Sequence, residues 1–184
     1  MKCRFLIAIG LSICLSSCAK NKMIQEEMER FYGQRVALPT DSMWYITAGG
    51  SEQTHNGLVE NHKYVVYYDS TECSSCQLKT LSKWGSLIDT VSSSKHKVDF
   101  YFIFSVPTNR MEDIRVTLDT HLRSFPVYLD TTGVFERMNP CLPRLSQLRT
   151  FMLDGKGFVE LVGNPVGNSR VADMMWNIIK GEDK

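Results

Sequence analysis

Two cysteines three positions apart, Cys73 and Cys76 in Asp69-Ser-Thr-Glu-Cys-Ser-Ser-Cys-Gln-Leu-Lys79, are the residues whose type and spacing best suit chemistry. The stretch opens a predicted helix, which puts the two thiols one turn apart. At the first turn of a helix, Cys73 lies near unpaired backbone N–H groups and the positive end of the macrodipole, both of which favour its thiolate. The thiolate is the nucleophile of disulfide exchange. Cys76 is near enough to close a disulfide and to resolve a mixed disulfide with a substrate. As a staple the pair is a poor choice: in the chain-entropy model a ring this small contributes roughly 2 kcal/mol, against about 3 for a fifteen-residue loop. A redox dithiol is therefore the leading reading, with metal binding and an inert pair as alternatives.

The elements that must position these thiols follow from hydrophobic patterning. Tyr64-Val-Val-Tyr-Tyr68 reads as a buried strand leading directly into the cysteines. After them, Leu78, Leu81, Trp84, Leu87/Ile88 and Val91 recur at helical spacing until Ser92-Ser-Ser. Val98 to Val106, rich in aromatic and β-branched residues, predicts a second central strand closed by Pro107. Met111, Ile114, Leu118 and Leu122 form the next helical stripe, and Pro126 to Asp130 another short strand. Thr150 to Asp154, Gly155-Lys-Gly157 and Phe158 to Val162 read as a β-hairpin. Asn168 or Ser169 then caps a last helix carrying Val171, Met174/Met175 and Ile178/Ile179. Upstream, Val36 to Leu38 and Trp44 to Thr47 are candidate short strands, and Gly49 to His62 is a polar, Gly-rich loop. The alternation implies an α/β fold, a mixed sheet covered on both faces. Met and aromatic residues at these spacings are core positions.

The first residues stand apart. Lys2 and Arg4 precede a mostly apolar run, Phe5 to Leu15, whose eleven residues are too few to span a bilayer as a helix; this reads as an export signal. Its end, Leu15-Ser16-Ser17-Cys18, resembles the lipobox of bacterial lipoproteins, which implies cleavage before Cys18 and lipidation of that residue. Acyl chains then anchor an otherwise soluble domain. The division expected is 1–17 signal peptide, 18–32 lipidated tether and short amphipathic helix (Met23, Ile24, Met28, Phe31), and 33–184 a single domain. Losing Lys2 and Arg4 lowers Lys+Arg from 21 to 19 against 20 acids, a net charge of −1. No basic excess remains to neutralise phosphates, which argues against nucleic acid as a partner. Export implies an oxidising compartment. With Cys3 and Cys14 lost, Cys18 lipidated and Cys73 and Cys76 paired, Cys141 is left over, in a loop between two prolines, as a part-buried small apolar residue, a third redox or metal partner, or one half of an intermolecular disulfide.

The order of strand, Cys-x-x-Cys helix, strand, helix, strand, β-hairpin and final helix is similar to the thioredoxin fold. The exported, lipid-anchored setting resembles the TlpA-type thiol-disulfide oxidoreductases, with residues 33–47 as a short N-terminal β extension and 125–147 as an inserted segment. The resemblance implies a thioredoxin-like mixed β-sheet flanked by helices and dithiol/disulfide exchange, with Cys73 as nucleophile and Cys76 as resolving thiol. It needs no cofactor beyond the two sulfurs. The implied partners are envelope protein thiols or disulfides and an electron-donor or acceptor protein, at the periplasmic or outer surface of a membrane.

Three positions depart from the family. Glu72 stands where a Trp usually precedes the first Cys, and its carboxylate opposes the helix terminus in setting the thiolate. Tyr67 replaces the buried acid often found six positions before that Cys. Leu148 occupies the place of the cis-proline ahead of the hairpin; a cis peptide before a non-proline residue costs about 2.5–4 kcal/mol, so a trans bond and an altered loop opposite the thiols are expected. The same departure supports two rival readings. One is a Cu(I) or Zn(II) site on Cys73, Cys76 and Cys141, although His55, His62, His96 and His121 show no ligand spacing. The other is a non-catalytic module that binds a partner at the envelope.

Overall fold

The computed structural model describes residues 21–46, 60–70, 80–111 and 127–181. Residues 21–31 form helix α1; a 3-10 turn, Thr40–Ser42, leads into β1 (Trp44–Ile46), and β2 is His62–Tyr68. After a 3-10 turn, Leu81–Trp84, come α2 (Gly85–Ser92), β3 (Val98–Ser105) and a further turn, Thr108–Arg110. The chain continues through β4 (Val127–Asp130), α3 (Val134–Met138), a 3-10 turn at Ser146–Leu148, β5 (Thr150–Leu153), β6 (Val159–Val162) and α4 (Ser169–Lys180).

The strands form one mixed sheet in the order β1-β4-β3-β2-β5-β6. β2, β3 and β4 run parallel, while β1 lies antiparallel on β4, and β5 and β6 continue antiparallel from β2. Period-two alternation sorts their side chains onto two cores. Tyr64, Val66, Phe102, Phe104, Val127 and Leu129 face one way, where Leu81, Trp84, Val91, Met175 and Ile179 cover them. Val65, Tyr67, Tyr101, Ile103 and Tyr128 face the other way, against Phe31, Val36 and Phe135. Each inward strand residue thus meets an apolar helix or loop residue, which is why the central strands read as continuous hydrophobic runs. The fold class is the mixed sheet flanked by helices implied by the sequence.

The hairpin closes through the Asp154 side chain, whose Oδ1 accepts from the Lys156 N–H at 2.9 Å and the Phe158 N–H at 2.8 Å. Asn168 caps α4, accepting from the Val171 N–H at 3.3 Å, and Gly181, with φ 71°, ends it. Among the described residues no helix is long and apolar enough to cross a membrane.

Four differences from the sequence reading have physical causes. Val36–Leu38 is not a strand. Arg35 makes a single bridge to Phe158, and both backbone groups of Ala37 are taken by the Asn139 side chain, at 2.7 Å to its Oδ1 and 2.9 Å from its Nδ2, so no ladder can form there. From Leu81 on, the continuous helix expected through Val91 is instead a 3-10 turn followed by α2, with Gly85 at the junction, while 71–79 lie outside the described residues. Phe31 of α1 is fully buried against Phe151, with edge-on rings 4.9 Å apart, so the last turn of this helix belongs to the core. Finally α3, which no periodicity announces, is built on Asp130. That fully buried carboxylate accepts the N–H groups of Thr132 (3.1 Å), Val134 (3.0 Å) and Phe135 (2.9 Å). Asp130→Asn keeps the shape but replaces one acceptor with a donor facing N–H groups; we expect a loss of about 1–2 kcal/mol in denaturant unfolding. Of the stripe Met111, Ile114, Leu118 and Leu122, only Met111 lies among the described residues, and Thr47 and Pro126 also fall outside them.

Candidate active site

The topology singles out one end of β2. From β2 the chain crosses to β3 and β4 on one side, and after β4 it returns to β5 on the other, so the order switches at β2. Clefts in open α/β sheets form at such switch points, beyond the carboxyl ends of the strands. Here a cleft of about 570 Å³ lies at that end, lined by Tyr67, Tyr68, Thr80, Lys83, Trp84 and the Ser146–Gln147 turn, among others. A larger cleft, about 720 Å³, lies near the start of β2 between Arg35–Leu38 and the hairpin turn, with no thiol among the described residues of its wall. The chain leaves β2 at Tyr68 and re-enters the described structure at Thr80, so both ends of the segment holding Cys73 and Cys76 abut the smaller cleft. Cys73, Cys76, Glu72 and Cys18 themselves lie outside the described residues, as do His55 and His121.

Tyr67 projects to the second core, its ring 4.8 Å from that of Phe135. Its hydroxyl is buried, and among the described residues it makes no hydrogen bond of ordinary geometry; the Ser105 hydroxyl and the Glu136 carboxylate are the polar groups nearest to pairing with it. Burial, reinforced by Glu136, pushes this phenol far above its ordinary value. Tyr64 and Tyr128 are raised by burial likewise, and Tyr101 is pushed up to about 12. A raised folded-state value means stability that is complete below the unfolded value of 10 and lost as pH climbs through the folded ones. Titration from pH 9 upward is therefore expected to show these four phenols ionising together with unfolding, read as tyrosinate absorbance tracking the loss of circular dichroism.

Leu148 is buried at the end of its 3-10 turn, donating its N–H to the Leu145 carbonyl at 3.0 Å, and no cis peptide bond occurs among the described residues. Beside it Arg149 makes several polar contacts next to the end of β2. Its guanidinium pairs with Asp69, lies 3.4 Å from Glu136, donates through Nε to the Pro143 carbonyl at 2.8 Å, and sits 5.6 Å from the centre of the Tyr67 ring. The sequence reading overlooked Asp69 and Arg149. Their signal was opposite charge at the joined ends of strands that pair antiparallel, legible only once register is known.

Cys141 is half-buried against the second core, on the face opposite Leu81 and Trp84, with its sulfur 3.8 Å from the Arg35 carbonyl. Burial raises its pKa, which keeps it a thiol near neutrality. Among the described residues no three His, Cys, Asp or Glu side chains converge as a metal site.

No family model and no curated protein matches the sequence. Solved structures do. An uncharacterized thioredoxin-like protein from Porphyromonas gingivalis superimposes at TM-score 0.51, with 16% identity over 81% of this chain and 94% of its own. The fold is thioredoxin-like. A hypothetical protein from Sinorhizobium meliloti 1021 aligns at TM-score 0.51, with 15% identity over 82% of this chain and 85% of its own. A thiol:disulfide interchange protein from a Bacteroides species gives TM-score 0.48, with 13% identity over 83% and 93%. In this thioredoxin-like fold, β2 is the central strand whose end, Tyr68, comes five positions before Cys73 in the sequence, and Arg149 stands just before β5 beside it.

Proposed function

We propose that the protein is a TlpA-like thiol-disulfide oxidoreductase, exported and held at the cell envelope through lipidated Cys18. The observation that supports the reading is that Tyr68 and Thr80, which flank the Cys-x-x-Cys stretch in the sequence, line one cleft at the switch point of the sheet. The Cys73 thiolate attacks one sulfur of a substrate disulfide; that S–S bond breaks, and the other substrate sulfur leaves as a thiolate that takes up a proton. Cys76, deprotonated, then attacks the Cys73 sulfur and releases the second substrate thiol. Two electrons have passed from the dithiol to the substrate, and a partner protein with a dithiol of its own must return them for the next cycle. Run backwards, the same steps oxidise a substrate dithiol.

The test is a redox titration of residues 19–184 with thiol alkylation and mass detection, in metal-free and in copper- or zinc-supplemented samples. A reversible two-electron couple confined to Cys73 and Cys76 is expected. Stoichiometric metal that protects both thiols from alkylation replaces the reading with a metal carrier; the absence of any couple replaces it with a binding module. Lipidation is tested separately, as a mass increment on Cys18 that Cys18→Ala abolishes.

A further inference from the structure

Arg149 is tied to the exit of β2 twice. Its backbone carbonyl accepts the Tyr67 N–H at 3.0 Å, extending the β2–β5 ladder past Thr150, and its guanidinium pairs with Asp69, two residues further on. Both heads are largely desolvated, 11% and 16% exposed. The remaining guanidinium directions are also used, on the side of the second core: Nε binds the Pro143 carbonyl, Nη1 approaches Glu136 on α3, and the face covers the Tyr67 ring. Only a planar fork with several fixed donors can satisfy all of these, since a lysine offers a point charge. One residue thus joins the exit of β2 to the segment ahead of β5: its side chain holds Asp69 and the Pro143 carbonyl, and its backbone N–H donates at 2.9 Å to the carbonyl of Ser146, which with Gln147 lines the cleft.

We propose that Arg149, paired with Asp69, is a positioning residue for exchange with polypeptide disulfides, fixing the exit of β2, four residues before Cys73, against the Ser146–Gln147 wall. The proposal rests on the thiol-disulfide reading above. Exchange needs the attacking, central and leaving sulfurs nearly in line, and misplacement of about 1 Å costs on the order of 100-fold in rate. A polypeptide disulfide lying in the cleft takes its alignment from both walls. A small alkylating reagent needs no such alignment.

The experiment compares the full chain with Arg149→Gln, Arg149→Lys and Asp69→Asn, in two assays run below the unfolding temperature of each variant: reduction of insulin, and alkylation of Cys73 by iodoacetamide. Arg149→Gln is expected to slow insulin reduction by roughly 10- to 100-fold while leaving the alkylation rate unchanged, and Arg149→Lys to restore part of the loss. A folded Arg149→Gln with lower thermal stability and undiminished insulin reduction overturns the proposal, because the pair is then only structural. Equal slowing of both reactions also overturns it, assigning Arg149 to thiol reactivity instead. If Arg149→Gln does not fold, the near-isosteric Asp69→Asn decides by the same comparison. An unsubstituted chain that leaves insulin untouched removes the thiol-disulfide reading itself, an outcome distinct from the failure of Arg149 alone.

Discussion

Cys73→Ser is expected to abolish disulfide exchange, with insulin reduction falling on the order of 10³-fold or more to the uncatalysed background. A thiol near its ordinary pKa is a few per cent thiolate at neutral pH and intrinsically nucleophilic, whereas a serine hydroxyl without an activating base is neither. Cys76→Ser should behave differently. The first attack survives, the resolving thiol is gone, and the enzyme accumulates as a mixed disulfide visible by mass under non-reducing conditions and released by a small thiol. The asymmetry is the decisive readout: trapping by Cys73→Ser instead of Cys76→Ser would reverse the two roles, and trapping by neither would remove the dithiol from the mechanism. Cys141→Ala should leave both behaviours intact. Its sulfur is half-buried on the opposite face of the sheet, and burial raises its pKa, so it is a poor competitor for any disulfide at neutral pH.

What the sequence made legible is what local patterning encodes. β2 and β3 are double-sided hydrophobic runs, and the hairpin carries its own turn chemistry at Asp154 and Gly157. α4 has both a capping Asn168 and a terminal Gly181. The hairpin turn and α4 announce themselves because their turn and caps rest on interactions a few residues apart, and β2 and β3 because burial on both faces is written into their composition although their partners are distant. The rest depends on distant partners, or on a local contact too short to leave a period. Val36–Leu38 has strand composition, yet Asn139 takes the backbone of Ala37 across 102 positions and leaves nothing for a ladder. α3 is five residues long, too short for any period to show, and exists because the buried Asp130 carboxylate satisfies its first N–H groups. At the site the split is the same. The cysteine pair is a local motif, whereas Asp69 and Arg149, 80 positions apart, acquire meaning only when β5 pairs with β2.

Trp84→Ala is expected to be the most destabilising single change in the described structure, at about 3–5 kcal/mol. Trp84 is 2% exposed and the largest of the fully enclosed side chains. Its ring lies 5.7 Å from Tyr64, 6.3 Å from Phe100 and 5.5 Å from Phe102, the last two edge-on, so truncation removes aromatic contacts to two strands as well as buried area. The surroundings cannot collapse into the gap, because those rings stand on β2 and β3, whose seven paired positions hold them in register. Trp84 also ends the 3-10 turn at which α2 begins and lines the cleft beside Tyr67 and Tyr68, so its loss opens the cleft into the first core. Urea unfolding should therefore show a lowered midpoint with an unchanged slope, since the surface exposed on unfolding is nearly the same. Trp84→Phe, which keeps a ring against Phe102, should recover more than half of the loss. If Trp84→Ala costs under about 1 kcal/mol, the core beneath the cleft is not close-packed, and the rigid floor that exchange at β2 requires is not there. A large stability loss accompanied by an equal fall in insulin reduction at temperatures where the variant remains folded would instead tie this one side chain to both the core and the site, as its position between them implies.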